Sequence, residues 1–186
     1  MYREDKATAM AVRFLQLAPR HKLNDLMLMK LMVIAERECM AQTTSLITGA
    51  HFASMQNGPV LSEVLDSMKR KTPSYFWNHF VGFVEWGGQG TASNHCVLKN
   101  DLDVTEYLSE FETELLGNVW KEHKRKTKWE LVDITHTFPE WDKTCAETKS
   151  SSPIPYESVF EKGLHESSEV ARERAQEIEY FESVAA

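Results

Sequence analysis

The sequence has few of the features that mark secreted or membrane-spanning proteins. Only three of its 186 residues are cysteines. Cys39, Cys96 and Cys145 lie far apart without a CxxC spacing, which favours ordinary thiols in a reducing compartment over a disulfide framework. The most apolar stretch, residues 26–35, contains Lys30 and is far shorter than the ~20 residues of a membrane span. The first ten residues, MYREDKATAM, have no apolar signal core. We therefore expect a cytoplasmic protein without a membrane partner.

An excess of positive charge is also missing. The chain has 21 lysines and arginines against 28 aspartates and glutamates, which gives a formal net charge of −7. A general nucleic-acid binder needs a basic face, so nucleic acid is not an expected partner. The one basic cluster, residues 121–128 (KEHKRKTK), is more typical of a solvated helix end.

Patterns that would indicate catalysis or a bound cofactor do not occur in the sequence. The seven histidines show no HxxxH or HExxH spacing. No serine lies in GxSxG, and the glycine-rich residues 87–93 (GGQGTAS) lack the lysine and the following helix of a phosphate-binding loop. Paired glutamates such as Glu36 and Glu38 are typical of a solvated helix face. We therefore predict no catalytic residue, no metal and no cofactor.

Apolar spacing and capping residues predict that most of the chain is helical. Asn24 is a suitable N-cap for an unusually apolar second helix, which we expect at the centre of the domain because it is apolar on more than one side. Capping boxes begin at Ser109 and Thr127, each with a glutamate three residues later. Outside residues 54–71, helices are predicted over residues 4–17, 25 to about 42, 110 to about 124, 128 to about 136 and 156–162. A last helix is predicted to begin at a cap formed by Ser167 or Ser168.

Residues 54–71 (SMQNGPVLSEVLDSMKRK) contain a tight turn that leads directly into a helical pattern. Gly58 can take φ values that other residues avoid, and Pro59 presets φ near the helical value. We predict that a helix begins on Pro59 and ends before Thr72. The amides of Asn57 and Gly58 would then lie near a helix N-terminus, where an anion or a partner's carboxylate could bind. A purely structural turn is the commoner use of such a sequence.

A small β component is predicted as well. Residues 48–55 have a weak strand pattern, and residues 81–86 and 96–99 flank the glycine-rich loop as an antiparallel hairpin. Residues 75–80 are densely aromatic and could be a helical turn or an extended segment. The predicted fold class is mainly α (α+β): a single compact helical domain with a small antiparallel β-sheet or hairpin and a C-terminal helix.

Residues 135–141 (THTFPEW) form another unusual local pattern. His136 can donate from one ring nitrogen and accept at the other, so it could hold the chain that follows the helix. Trp141 could fold back as an apolar plug. A structural clamp is the favoured interpretation, and contact with a partner by His136 or Trp141 is the alternative.

Four segments in a fixed order resemble a known family. They are residues 28–37 (LMKLMVIAER), 57–69 (NGPVLSEVLDSMK), 108–120 (LSEFETELLGNVW) and 129–141 (WELVDITHTFPEW). Their series resembles the Panacea domain, also called the SocA-like antitoxin domain. That family typically shows a KL-rich helix, a YGPV turn, an LS-x-x-E helix start and a TH segment ending in tryptophan.

The resemblance covers roughly residues 5–164, with modest departures. Gln56-Asn57 replaces the usual aromatic before Gly58, and the aromatic common after the lysine–leucine pair is lost at Met32-Val33. The residues that match the family motifs or flank them, and that we expect to bind a partner or define the fold, are Lys30, Leu31, Asn57, Gly58, Pro59, Val60, Thr135, His136 and Trp141.

The resemblance implies an antitoxin that binds and neutralises a toxin protein encoded beside it, in bacteria, phages or prophages. One branch of the family acts as an adaptor that delivers its toxin to a protease. A phage-associated adaptor or regulator of the same fold therefore stays an alternative, and a small metal- or ligand-dependent enzyme is a more remote one. We expect residues 1–164 to form the Panacea domain and residues 165–186 to form a helical extension, and homo-oligomerisation stays open.

Overall fold

The computed structural model describes residues 1–69, 74–86 and 93–184, and these residues form a mainly helical α+β fold, as predicted. The helices are α1 (Glu4–Leu17), α2 (Asp25–Thr43), α3 (Ser62–Met68), α4 (Tyr75–Phe80), α5 (Glu110–His123), α6 (Lys128–His136), α7 (Thr144–Thr148), α8 (Tyr156–Ser158) and α9 (Ser168–Val184). The strands are β1 (Lys22–Asn24), β2 (Phe52–Ser54), β3 (Val60–Leu61), β4 (Val81–Trp86), β5 (Ser93–Leu98) and β6 (Ser152–Ile154). Among the described residues, no helix combines the length and the apolar character needed to cross a membrane.

Helix α2 lies at the centre of the core, as its composition predicts. Every residue from Leu28 to Glu36 is buried, and the helix packs against α1, α5 and α6. Its N-terminus is capped as predicted, because Oδ1 of Asn24 accepts hydrogen bonds from the amides of Leu26 and Met27 at 3.1 and 3.3 Å. A buried central helix fixes the position of every element around it.

Two three-stranded antiparallel sheets flank the helices in the described part of the chain. The first has the order β1-β5-β4, with Cys96 paired to both Leu23 and Phe83. It contains the predicted hairpin, whose loop residues 87–92 lie outside the described residues. The second has the order β3-β2-β6 and is organised around Phe52, which pairs with Leu61 and Ile154. The sequence patterns did not indicate β1, β3 or β6, because each of these strands has only two or three residues.

Both predicted capping boxes are present. The Ser109 hydroxyl accepts from the Glu112 amide at 3.2 Å and the Glu112 carboxylate accepts from the Ser109 amide at 2.7 Å. The same reciprocal pair joins Thr127 and Glu130. The spacing of α5 also predicts an inward Phe111, but this ring is 40% exposed.

The prediction that a helix begins on Pro59 is wrong. Val60 and Leu61 form β3, paired with Ala53 and Phe52, and the helix begins only at Ser62. Pairing with β2 therefore overrides the helical preference of the sequence after proline. Helix α3 ends at Met68, and the predicted stop at Thr72-Pro73 lies outside the described residues.

The C-terminal part continues the core. The short helix predicted over residues 156–162 is α8 followed by a π-helical turn, Val159–Gly163. Helix α9 buries Ala171, Ala175 and Ile178 against the preceding segment. Its apolar spacing predicts Val170 and Phe181 on the same face, but these two side chains are 43% and 60% exposed. The division into residues 1–164 and 165–186 stays a prediction.

Candidate functional site: the elbow and its cleft

The turn between β2 and β3, residues 55–60, is built around one glycine; we call it the elbow. Gly58 has φ of +90°, a backbone conformation that favours glycine. A Cβ at this position would lie 2.7 Å from Oγ1 of Thr135, 3.0 Å from Nζ of Lys30 and 3.1 Å from Cδ2 of His136. The missing side chain therefore allows α2 and α6 to pack directly on the elbow.

The Gly58 amide does not serve the role that the sequence suggested. It donates to the carbonyl of Met55 at 3.0 Å and closes the turn. Because the next helix begins four residues later, at Ser62, the amides of Asn57 and Gly58 do not stand at a helix N-terminus. The helix N-terminus that the predicted anion site required is therefore not formed at these two amides.

Lys30 fastens the elbow to the central helix. Its side chain is fully buried, and its Nζ donates to the carbonyl of Pro59 at 2.6 Å. Within the described residues this is its one hydrogen bond, and no carboxylate lies within ion-pair distance. Burial lowers the pKa of Lys30 to about 7, because desolvation disfavours the charged ammonium. The other half of the lysine–leucine pair, Leu31, is a fully buried core residue.

The end of α6 closes over the other side of the elbow. The rings of His136 and Trp141 stack with centroids 3.8 Å apart and an interplanar angle of 6°. Nε1 of Trp141 donates to the Met55 carbonyl at 3.1 Å, while Thr135 is fully buried against Gly58. Trp141 and Met55, 86 positions apart along the chain, are thereby held together in the geometry of a clamp.

His136 is held in an environment that disfavours its charged form. Burial lowers its pKa, and the nearby Lys30 ammonium lowers it further, against smaller opposite effects of Asp133 and the Gln56 backbone. Nε2 of His136 is buried without a hydrogen-bond partner. A direct contact of this ring with a partner stays a prediction.

A cleft of about 870 Å³ lies over the elbow; we call it the elbow cleft. Its walls come from the start of α2, from α3 and from strands β4 and β5. Charged residues of both signs line it: Asp25, Lys30, Lys69, Glu85 and Lys128. Val84 on its wall is 41% exposed, and Trp129, the neighbour of Lys128, is 55% exposed. Asn57, unlike Gly58, Pro59 and Val60, is exposed at the tip of the elbow.

The described residues contain no group of three histidine, cysteine or acidic side chains placed to hold a metal ion. The thiols of Cys39 and Cys96 are buried, and burial raises the pKa of Cys39 to about 11 and that of Cys96 further. Reactive thiolates need the opposite shift.

Sequence reasoning missed two sets of polar contacts made by charged residues of α2. Arg37 donates from Nε to Oε1 of Glu140 and from Nη2 to the Gly163 carbonyl, both at 2.7 Å. Glu36, interpreted from sequence as a solvated carboxylate, is fully buried and accepts hydrogen bonds from Ile47 and Thr48. The available signal was that Glu36 and Arg37 follow directly on the apolar run of α2, which suggests that they are at least partly buried. Their partners could not be predicted, because these lie too far away in the sequence for a local spacing pattern to reveal them.

Comparison with known proteins supports a single family. The family model described as "Antitoxin SocA-like, Panacea domain" matches residues 28–142, which is more than half of the chain. The matched range contains all the motif residues gathered at the elbow. Searches of curated proteins and of solved structures each found no match. The chain belongs to the SocA-like antitoxin family and carries its Panacea domain.

Proposed function

We propose that this protein is an antitoxin that neutralises a cognate toxin, encoded by an adjacent gene, by binding the toxin protein directly at the elbow cleft. Membership of the antitoxin family supports the general role. The observation that carries the location is that motif residues from separate segments meet at the elbow, where Lys30 donates to the Pro59 carbonyl and Thr135 packs on Gly58. Of these motif residues, Lys30, Asn57, Gly58 and Val60 also line the elbow cleft.

The elbow cleft has the size and the rim of a protein-binding site. A volume of about 870 Å³ accommodates several side chains of a partner. A stable interface buries roughly 800 Å² per partner, which is a small part of the total accessible surface of 9859 Å². Val84 lines the cleft as an exposed apolar group, and the exposed Trp129 follows the lining residue Lys128 in the chain. Tryptophan is among the residue types that dominate binding energy when a partner buries them.

The net negative charge of the protein favours a basic partner at long range. At close range, the charges that line the cleft favour a partner surface that carries charges of both signs. The net charge of −7 accelerates encounters with a positively charged toxin through electrostatic steering. The cleft itself, however, is lined by Lys69 and Lys128 as well as by Asp25 and Glu85. A partner with matching charges of both signs would be selected over one with uniform charge.

Co-expression with the neighbouring open reading frame tests the function. The neighbouring gene alone should stop growth, and the full-length chain should restore growth and co-purify with its product. A neighbour that is harmless, or one that is rescued without forming a complex, would contradict neutralisation by binding.

Two valines of equal exposure test the location. Val84 lines the elbow cleft and is 41% exposed, whereas Val170 in the first turn of α9 is 43% exposed. Val84→Glu should abolish rescue and weaken the complex at least tenfold, because it places an unpaired charge in the interface. Val170→Glu should leave both unchanged. The reverse result would move the binding surface to α9, and thermal melting of both variants separates lost binding from lost folding.

The same assay separates neutralisation from delivery to a protease. A neutralising antitoxin leaves the amount of toxin unchanged while activity is blocked. An adaptor lowers the steady-state toxin level, and loss of the protease restores it. We expect a constant toxin level, measured by quantitative immunoblotting with and without the chain.

A further inference from the structure

A second groove lies away from the elbow cleft, between α1, the turn Val104–Glu106 and α5. Its volume is about 680 Å³. Leu17, Leu108 and Trp120 contribute apolar surface, and the latter two are almost fully buried. We call it the Arg13 groove, because Arg13 is the one partly buried charged residue among those that line it.

Arg13 differs from the other partly buried arginines in its lack of acceptors. Arg37 donates to a carboxylate and a carbonyl, and Arg174 donates to Glu166, to Thr44 and to a backbone carbonyl. Within the described residues, Arg13 has neither a hydrogen bond nor an ion pair, and its Nε is buried without a partner. A half-buried guanidinium without an acceptor is costly to desolvate, so the groove favours a ligand that supplies one.

A second polar atom in the same groove also lacks a partner. Oγ1 of Thr113 is buried and makes no hydrogen bond. One helical turn further along α5, a Cβ at Gly117 would meet no atom within 4 Å. The groove therefore combines two unsatisfied donors with open space next to them.

The surroundings define the chemistry of the ligand. A carboxylate accepts two parallel hydrogen bonds from a guanidinium, and the apolar walls suit an aliphatic or aromatic stem. Two exposed glutamates, Glu110 and Glu114, line the groove against one exposed lysine, Lys121. This excess of carboxylates disfavours polyanions such as nucleic acid or multiply charged phosphates. We propose that the Arg13 groove binds a single carboxylate carried on an apolar chain, through the guanidinium of Arg13 with Thr113 as a further donor. The source of such a group is either the C-terminus of a polypeptide or a free carboxylic acid.

Nuclear magnetic resonance of the full-length protein tests this directly, because the side-chain Nε–Hε signal of Arg13 reports a new acceptor. The signal is assigned by its loss in Arg13→Gln. The probes are hexanoate, its uncharged analogue hexanamide, the peptide acetyl-GSLFL with a free C-terminus, and the same peptide with a C-terminal amide. We expect saturable binding of at least one carboxylate with Kd below about 1 mM and a shift of the Arg13 signal, with at least tenfold weaker binding of the matching amide.

The two carboxylate probes identify the source. Tighter binding of the peptide than of hexanoate points to a polypeptide C-terminus, and equal binding points to a free carboxylate. The proposal is overturned if neither carboxylate binds or if each amide binds as well as its acid.

Three variants locate the site without relying on Arg13 alone. Gly117→Leu should weaken carboxylate binding at least tenfold while preserving the fold, because its Cβ has free space and leucine favours helix over glycine. Glu114→Gln should tighten binding by removing a competing rim carboxylate. Arg125→Gln, at an exposed position outside the groove, is the matched control and should change nothing. Unchanged binding in Gly117→Leu would place the carboxylate elsewhere and refute the proposal.

Discussion

Replacing Gly58 by alanine should strongly destabilise the protein, because this position combines a positive φ with close contacts from two helices. Its φ of +90° strains a residue that has a Cβ by roughly 1–3 kcal/mol. The new Cβ would also lie 2.7 Å from Oγ1 of Thr135 and 3.0 Å from Nζ of Lys30. Overpacking of a filled site costs about 1–3 kcal/mol. Together the two effects lower the free energy of unfolding by roughly 2–6 kcal/mol, a large share of the ~5–15 kcal/mol of an ordinary protein.

Urea unfolding followed by far-ultraviolet circular dichroism measures this loss. Gly117 provides the matched control, since a Cβ there meets nothing within 4 Å and alanine inside a helix stabilises by up to about 1 kcal/mol relative to glycine. Combining Gly58→Ala with Thr135→Ala removes the closest clash, so the double variant should lose less than the sum of the single losses. Two results would refute the idea that Thr135 and Lys30 pack into the space left by the absent Cβ of Gly58. One is a loss of unfolding free energy below about 1 kcal/mol in Gly58→Ala. The other is a loss in the double variant equal to the sum of the two single losses.

Two buried charges and one clamp residue give the remaining stability predictions. Burial lowers the pKa of Lys30 to about 7, so the native state loses a proton that the unfolded state keeps. The free energy of unfolding is measured for the wild type and for Lys30→Met, and the difference between them should rise by up to about 1.4 kcal/mol per pH unit between pH 7 and 9. A difference that does not change with pH would contradict this. Burial raises the pKa of Glu36 to about 7, so the native state keeps a proton that the unfolded state loses. The free energy of unfolding of the wild type, compared with that of Glu36→Gln, should therefore fall as pH rises from about 5 to 7. Urea titrations at several pH values measure this difference. Trp141→Phe removes the hydrogen bond to the Met55 carbonyl and should lower the free energy of unfolding by about 1 kcal/mol in urea; no loss would mean that this contact does not hold the elbow.

Local patterns in the sequence predicted the helices well because the determinants lie within a few residues of each other. The cap at Asn24 and the reciprocal pairs that begin at Ser109 and Thr127 are present as expected. In each case the side chain satisfies amides two or three residues away, so no knowledge of the tertiary structure is needed.

The elbow shows where local reasoning fails. Pro59 is suited to the first position of a helix, yet Val60 and Leu61 pair with β2, and β2 in turn pairs with β6, about 100 residues away. A strand of two residues has no periodicity to detect. Its formation depends on sheet partners that the local sequence does not specify.

The candidate site was predictable as a set of residues but not as a geometry. The family motifs named Lys30, Gly58, Thr135 and His136, and the structure brings all four together. That Lys30 is buried without a carboxylate partner could not be inferred, because a lysine in a helix is normally exposed. No sequence pattern indicated the Arg13 groove. Its defining feature is that no described residue accepts a hydrogen bond from Arg13, and this is visible only in the folded structure.

Hydrogen–deuterium exchange of the full-length chain, alone and bound to the product of the neighbouring gene, tests the proposed binding surface most directly. The account predicts slower exchange in the complex at residues 55–69, at the start of α2 and along β4, because these segments surround the elbow cleft. Protection confined to α9 or to the outer face of α5, with the elbow unchanged, would contradict it, and so would the absence of any stable complex.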